Sequence, residues 1–302
     1  MGEATRIVED NVEATEAWNG PLFDVWLKFR DVVAEGITEH SERAIAANPP
    51  AVGDRVLDIG CGLGDTTRRL GELVGADGDA YGVDVAERMI ETATAEASEA
   101  GAVNVTFAVR DVETTPFDRT FDRTFDYAFS RFGTMFFANP VAALRNVHHA
   151  LEPGGLLNMV VWRRKEDNEC MHRAELVVAD YLSEPEESDA PRCGPGPFSM
   201  ANADTVTDVL AAAGFEDVRL ARQDLPYRIG RDLDQAVDFN TSLGPAAEVL
   251  RMWGDRVDEL RPKIESEMRS ALSEFVVDDG SVVARASTWA VTARASPEGA
   301  RD

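Results

Sequence analysis

Three aspartates stand at the ends of predicted strands, and a glycine-rich turn follows the first of them. Asp58 lies just before Gly60, Gly62 and Gly64, and Asp65 follows the turn. Glycines let the backbone bend sharply and approach a ligand closely, because they carry no Cβ. The spacing differs from the Gly-x-Gly-x-x-Gly pattern that holds a pyrophosphate. An acid on each side of the turn would repel a phosphate, so the pattern favours a cationic ligand.

The two later acids follow the next predicted strands of the same segment. Asp84 ends the run Ala80–Val85, at the distance from the glycine turn where an acid accepts hydrogen bonds from ribose hydroxyls. Asp111 follows the alternating run Val103–Val109. We therefore expect a nucleoside-like cofactor at the carboxyl ends of the strands.

The elements that position these acids alternate in a regular way. Residues 51–162 predict five strands separated by helices, which indicates a parallel, doubly wound sheet. Two further strands, near 218–227 and 281–293, would extend it. We predict an α/β fold with a seven-stranded, mostly parallel sheet whose last strand is antiparallel. Residues 1–50 would form a helical arm, 51–162 the cofactor-binding core, and 163–302 the rest of the domain, with lid insertions at 163–200 and 232–278.

Five motifs together resemble the class I S-adenosylmethionine (SAM) methyltransferases, which have a Rossmann-like fold. They are D-I-G-C-G-L-G at 58–64, V-D-V at 83–85, R-D-V at 110–112, S-R-F-G-T-M-F-F at 130–137 and L-E-P-G-G at 151–155. The pattern is most similar to the quinone-biosynthesis C-methyltransferases and related small-molecule enzymes. It departs from that pattern at Arg110, where glycine is usual, and throughout the lid, so the substrate of the quinone enzymes does not carry over.

The resemblance implies SAM as cofactor and assigns it a set of contacts. The methionine part would lie along the glycine turn with its amino group near Asp58, the ribose at Asp84, and the adenine between Met89 and Asp111. The implied cofactor-binding residues are Asp58, Gly60, Cys61, Gly62, Leu63, Asp84, Val85, Met89, Asp111, Val112 and Ser130.

The residues that would serve the acceptor are less constrained by the motifs. Arg131 could anchor an acceptor carboxylate or phenolate, or it could form a salt bridge with a nearby acid. His172 in the lid could act as a base, or it could have a structural role. Trp18 and Phe132 are candidate acceptor contacts, or core aromatics. His40 is expected on an exposed face. A base is required only if the nucleophile must lose a proton early, and transfer to carbon, nitrogen or oxygen stays open.

The amino-acid composition argues against several kinds of partner and site. The formal net charge is −25 over 302 residues, which disfavours nucleic acid. The acidic, lysine-poor surface fits either a halophilic source or a GC-rich genome. Cys61, Cys170 and Cys193 have no paired spacing, so neither a disulfide framework nor a metal site is expected. The sequence has no apolar run long enough to suggest a membrane span, and no signal peptide is expected.

These observations predict a cytoplasmic methyltransferase with a small-molecule substrate, and its apolar insertions are compatible with a homodimer. Two alternatives remain open: a non-catalytic SAM-binding protein and an NAD-dependent oxidoreductase on a similar sheet.

Overall fold

The computed structural model describes residue 12 and residues 14–117, 124–183 and 195–297. Residues 14–19 are helical. The helices after them are α1 (Pro21–Lys28), α2 (Arg30–Ala47), α3 (Asp65–Val74), α4 (Glu87–Glu99), α5 (Pro140–Ala150), α6 (Glu169–Ala179), α7 (Ala203–Ala212), α8 (Leu233–Ser242), α9 (Pro245–Trp253) and α10 (Arg261–Leu272). The strands are β1 (Arg55–Ile59), β2 (Asp79–Asp84), β3 (Val105–Val109), β4 (Phe125–Arg131), β5 (Leu151–Trp162), β6 (Phe215–Gly230) and β7 (Val282–Ala295).

The strands form one seven-stranded sheet in the order β3-β2-β1-β4-β5-β7-β6. Strands β1 to β5 pair in parallel, and β7 pairs antiparallel with both β5 and β6. This confirms the predicted doubly wound α/β fold with an antiparallel last strand. The chain winds outward in both directions from β1, so β1 and β4 flank the switch point where ligands bind in open α/β sheets.

The centre of the sheet is buried on both faces, as a parallel sheet covered by helices requires. Val56, Leu57 and Ile59 of β1 have no exposed surface. Helix α2 packs on β6 and β5, and its Val33 and Ile37 join the main hydrophobic cluster of the sheet. The second half of the N-terminal arm is therefore part of the core.

Two local features concern the course of a strand and the start of a helix. Glu152–Gly155 lies inside β5, where the pairing with β4 shifts register between Phe125 and Tyr127. This is a bulge, and Gly154 accommodates it with a φ of 81°. Helix α7 is capped by Asn202, whose Oδ1 accepts a hydrogen bond from the Asp204 N–H at 2.8 Å.

Among the described residues, no helix is both long enough and apolar enough to cross a lipid bilayer.

Candidate active site

The glycine turn after β1 opens onto a cavity of about 840 Å³ at the carboxyl ends of the strands. Gly60 and Gly62 adopt φ values of 65° and 54°, in the left-handed region that favours glycine. A Cβ on Gly60 would lie 2.9 Å from the Gly133 Cα, so the turns that follow β1 and β4 approach too closely there for a side chain. A Cβ on Gly62 would meet no atom within 4 Å. The backbone at Gly62 therefore faces open cavity.

Asp84 fixes this turn from the end of β2. Its Oδ2 accepts a hydrogen bond from the Gly62 N–H at 2.9 Å, and its Oδ1 accepts one from the Ala86 N–H at 2.9 Å. Burial raises the pKa of the Asp84 carboxyl, while those backbone N–H groups oppose the rise. Each carboxylate oxygen retains a further lone pair, so Asp84, which lines the cavity, can accept additional hydrogen bonds from a ligand.

Asp58 lies behind the turn and is 1% exposed. Burial raises the pKa of its carboxyl to about 6, although the Thr67 hydroxyl, which donates to Oδ2 at 2.6 Å, and the positive charge of Arg131 both favour the ionised form. A positive ligand group beside Asp58 would favour that form further. The site is thus suited to a cation.

Ser130 differs from the other predicted cofactor residues, because it is fully buried and is not among the residues lining the cavity. Its hydroxyl donates to the Ile59 carbonyl at 2.9 Å and ties β4 to β1. The structure therefore gives Ser130 a role in joining the two strands that flank the switch point. The remaining predicted cofactor residues all line the cavity: Asp58, Gly60, Cys61, Gly62, Leu63, Asp84, Val85, Met89, Asp111 and Val112.

The N-terminal arm covers this half of the cavity. Trp18 makes edge-to-face contacts with Trp26 and Phe136, with ring centroids 5.8 Å and 5.4 Å apart. Both tryptophans pack against a small buried cluster that contains Leu63 and Met89. Trp18, a predicted acceptor contact, therefore lies beside the predicted cofactor residues and also lines the cavity.

Ion pairs attach the arm to the core. The Arg88 guanidinium lies 2.8 Å from Asp24 of α1, and the Arg30 guanidinium of α2 contacts both Glu96 and Asp65. Asp65, which follows the glycine turn, is therefore engaged in an ion pair with the arm.

The cavity continues beyond Arg131 and Phe132 into a mostly apolar region, the acceptor chamber. Its walls include Phe132, Trp162, Cys170, Tyr227 and Phe239. The Phe132 and Trp162 rings are stacked, with centroids 4.2 Å apart and planes inclined by 22°. Burial raises the pKa of the Cys170 thiol to about 12, so it stays neutral at physiological pH.

His172, the predicted base, is not among the residues that line the cavity. Its Nδ1 lies 3.1 Å from Oε2 of Glu175, one turn later on α6, and Glu175 does line the cavity. The other carboxylate oxygen of Glu175 accepts from Lys165 Nζ at 2.6 Å. The acidic group that reaches the chamber from α6 is therefore Glu175, which sequence analysis missed.

Tyr227 was also missed. It comes from β6, near the edge of the sheet, and its neighbours in sequence carry no motif. The predicted Arg131 and Phe132 both line the chamber. Among the described residues, no group of His, Cys, Asp and Glu side chains could hold a metal ion.

The cofactor half of the cavity fits SAM. The carboxylates of Asp58, Asp84 and Asp111 line it, and they suit a ligand that carries a sulfonium, an ammonium and two ribose hydroxyls. The open space at Gly62 admits a ligand against the backbone. Apolar side chains from Leu63, Met89 and Val112 can enclose a purine.

Comparison with known proteins supports the same assignment. Residues 51–187 match the family model described as a methyltransferase domain. The chain is 37% identical over 121 residues to aklanonic acid methyltransferase DauC from Streptomyces sp. (strain C5), a match that covers 40% of this chain and about half, 54%, of DauC. It is 29% identical over 203 residues to the ubiquinone/menaquinone biosynthesis C-methyltransferase UbiE from Shewanella sp. (strain W3-18-1), covering 62% of this chain and 77% of that one.

Solved structures share the fold at low sequence identity. The YcgJ protein from Bacillus subtilis superposes with a TM-score of 0.54 at 19% identity, over 85% of this chain and 97% of its own. The cyclase SpnF superposes with a TM-score of 0.50 at 21% identity, over 85% of this chain and 80% of its own. One fold thus carries more than one activity, so function must be argued from the site. Residues 51–187 thus match a methyltransferase domain, and the seven-stranded sheet is the one that the resemblance to class I SAM-dependent methyltransferases predicts.

Proposed function

We propose that this chain transfers the methyl group of SAM to a small-molecule acceptor bound in the acceptor chamber. The observation that carries the proposal is one continuous cavity. It runs from the glycine turn and Asp84 to the aromatic walls at Phe132 and Trp162, so a cofactor and an acceptor would meet inside it. Its volume of about 840 Å³ lies within the range of small-molecule sites.

The relatives support a small-molecule acceptor. DauC is named for aklanonic acid, and UbiE for ubiquinone and menaquinone biosynthesis. The net charge of −25 argues in the same direction, because such a surface repels nucleic acid.

When bound, SAM supplies an electrophilic methyl group. The residues of this chain would then contribute mainly by positioning the two ligands and excluding water, which can lower a barrier by roughly 7–11 kcal/mol. Asp84 and the glycine turn orient the cofactor, and Trp18 and Trp26 of the arm close that half of the cavity. Several carboxylates outside the glycine turn line the cavity, and among them Glu175 of α6 is our candidate to accept a proton from an acceptor in the chamber.

A transfer assay with an isosteric variant tests this proposal. The full chain would be incubated with methyl-tritiated SAM and a panel of aromatic acids, phenols and hydroquinones, and the label in extracted products counted. We expect labelled product from the wild type and from Asp77→Asn, whose carboxylate lies in an exposed turn. Asp84→Asn should lose most of the transfer. SAM binding without transfer to any acceptor would contradict the proposal and favour a non-catalytic binding protein.

A further inference from the structure

Arg131 and Tyr227 bring two polar groups to the wall of the acceptor chamber without using them inside the protein. Both residues line the cavity, and Tyr227 is only 5% exposed. Within the described ranges, neither the Arg131 guanidinium nor the Tyr227 hydroxyl has a hydrogen-bond partner, and Arg131 forms no salt bridge. Neither residue contributes an atom to the buried side-chain nitrogens and oxygens that lack a partner, and both line the cavity, so a ligand in the chamber can accept hydrogen bonds from both.

The position of Tyr227 depends on a glycine in helix α2. A Cβ on Gly36 would lie 2.1 Å from Cζ of the Tyr227 ring. Glycine in a helix interior costs about 1 kcal/mol relative to alanine. Helix α2 is therefore less stable than it would be with alanine at position 36, where the Tyr227 ring packs against it.

The position of Arg131 depends on a strained neighbour. Phe132 has a φ of 60°, which is an outlier for a bulky side chain. Its N–H donates to the Val160 carbonyl at 2.9 Å, and its ring stacks on Trp162, which fixes the end of β4 in this conformation. Strain of this kind persists where the surroundings enforce it, and it clusters at ligand sites.

The rings between Arg131 and Tyr227 form a continuous aromatic wall. Phe132 stacks on Trp162, and the Trp162 and Tyr227 rings follow at 6.3 Å with planes inclined by 39°. Tyr227 is then 6.3 Å from Phe239, inclined by 30°. A flat conjugated molecule can lie along such a wall and stack on it.

Arg131 carries a positive charge that no carboxylate of the described residues pairs with. Asp58 has the largest of the electrostatic effects that oppose the fall in the pKa of Arg131 caused by burial, followed by Asp65 and Glu42, but none of the three forms an ion pair with it. Both groups line the cavity, and the Arg131 charge opposes the rise in the pKa of Tyr227. An anionic oxygen there would meet a guanidinium fork and a hydroxyl donor.

We propose that the acceptor is a planar, conjugated molecule bearing an ionised oxygen, a carboxylate or an enolate, which accepts hydrogen bonds from Arg131 and Tyr227 while its rings lie on the Phe132–Trp162 wall. This inference rests on the proposed function, because it identifies the class of molecule that occupies the same site.

The test compares a charged with a neutral probe of the same shape. The full chain, saturated with S-adenosylhomocysteine, would be titrated calorimetrically with anthracene-2-carboxylate and with anthracene-2-carboxamide. We expect the carboxylate to bind about 10- to 100-fold more tightly, as hydrogen bonds to a charged group imply. Arg131→Gln should abolish this preference, and Tyr227→Phe should reduce it several-fold. Arg164→Gln, at an exposed position outside the cavity, should keep it.

Saturation with S-adenosylhomocysteine, which precedes the titration, separates a failure of the proposed function from a failure of the inference about the acceptor. Failure of the wild type to bind S-adenosylhomocysteine would count against the proposed function. If it binds, equal affinity for the two probes, no binding of either, or a preference that survives Arg131→Gln would each overturn the inference alone. S-adenosylhomocysteine affinity also checks that each variant is folded.

Discussion

Replacing Gly36 by alanine tests whether helix α2 makes room for Tyr227. The added Cβ would lie 2.1 Å from Cζ and 2.2 Å from Cε1 of the ring, whereas carbon atoms pack best at about 3.5–4.0 Å. The helix or the ring must therefore shift by about 1.5 Å or more. Alanine gains about 1 kcal/mol of helix propensity, but overpacking costs about 1–3 kcal/mol. We expect a net loss of up to about 2 kcal/mol in the free energy of unfolding.

Chemical denaturation would measure the change in the free energy of unfolding, and titration with anthracene-2-carboxylate would measure the change in binding. Gly36→Ala should weaken carboxylate binding at least as much as Tyr227→Phe does, because it displaces the whole ring. In a Tyr227→Ala background the clash is gone, so Gly36→Ala should instead stabilise the protein by about 1 kcal/mol. A Gly36→Ala protein that is more stable than wild type and binds the carboxylate unchanged would refute the reasoning.

Two further predictions concern acidic groups of the site. The Asp58 carboxyl has a pKa raised from 3.8 to about 6, so its stabilising contribution is complete below pH 3.8 and is lost as the pH rises through 6. The free energy of unfolding of the wild type relative to Asp58→Asn should therefore fall between pH 4 and 7, by on the order of 3 kcal/mol, in paired denaturation curves; no change in the difference would contradict this. In the transfer assay, Glu175→Gln should lower turnover about 100-fold for a protonated acceptor, whereas His172→Gln, which acts only through Glu175, should lower it less; the reverse order would exclude Glu175 as the proton acceptor.

The cofactor half of the site could be predicted because its determinants are local. Strand, glycine turn and helix follow one another directly between Val56 and Leu70, and Asp84 and Asp111 stand at the ends of the next strands. In a parallel sheet all these strand ends meet at one edge, so sequence order alone brings the acids together.

The acceptor chamber could not be predicted because its residues meet only through tertiary packing. Gly36 and Tyr227 belong to the arm and to β6, and their contact depends on how α2 lies across the sheet. On α6, sequence favoured His172, but the rotation of the helix presents Glu175 to the cavity. His172 and Glu175 are one helical turn apart. Which of them faces the cavity depends on how α6 is rotated against the sheet, and a single amphipathic segment does not specify that rotation.

His40 illustrates the same limit. It was expected on an exposed face, and the structure buries it completely. Its Nδ1 lies 2.8 Å from the Thr288 hydroxyl of β7, and burial lowers the pKa of the imidazole to about 4. A histidine in an acidic helix gives no sign of burial until the sheet beneath that helix is known.

Calorimetric titration of SAM into the full chain tests the central claim most directly, with Asp84→Asn and Asp77→Asn compared under the same conditions. The account predicts one SAM per chain for the wild type and for Asp77→Asn, and binding weakened by about 10- to 100-fold in Asp84→Asn, since a charged acceptor of ribose hydrogen bonds is lost. Absence of SAM binding by the wild type, or equal affinity in Asp84→Asn, would contradict it.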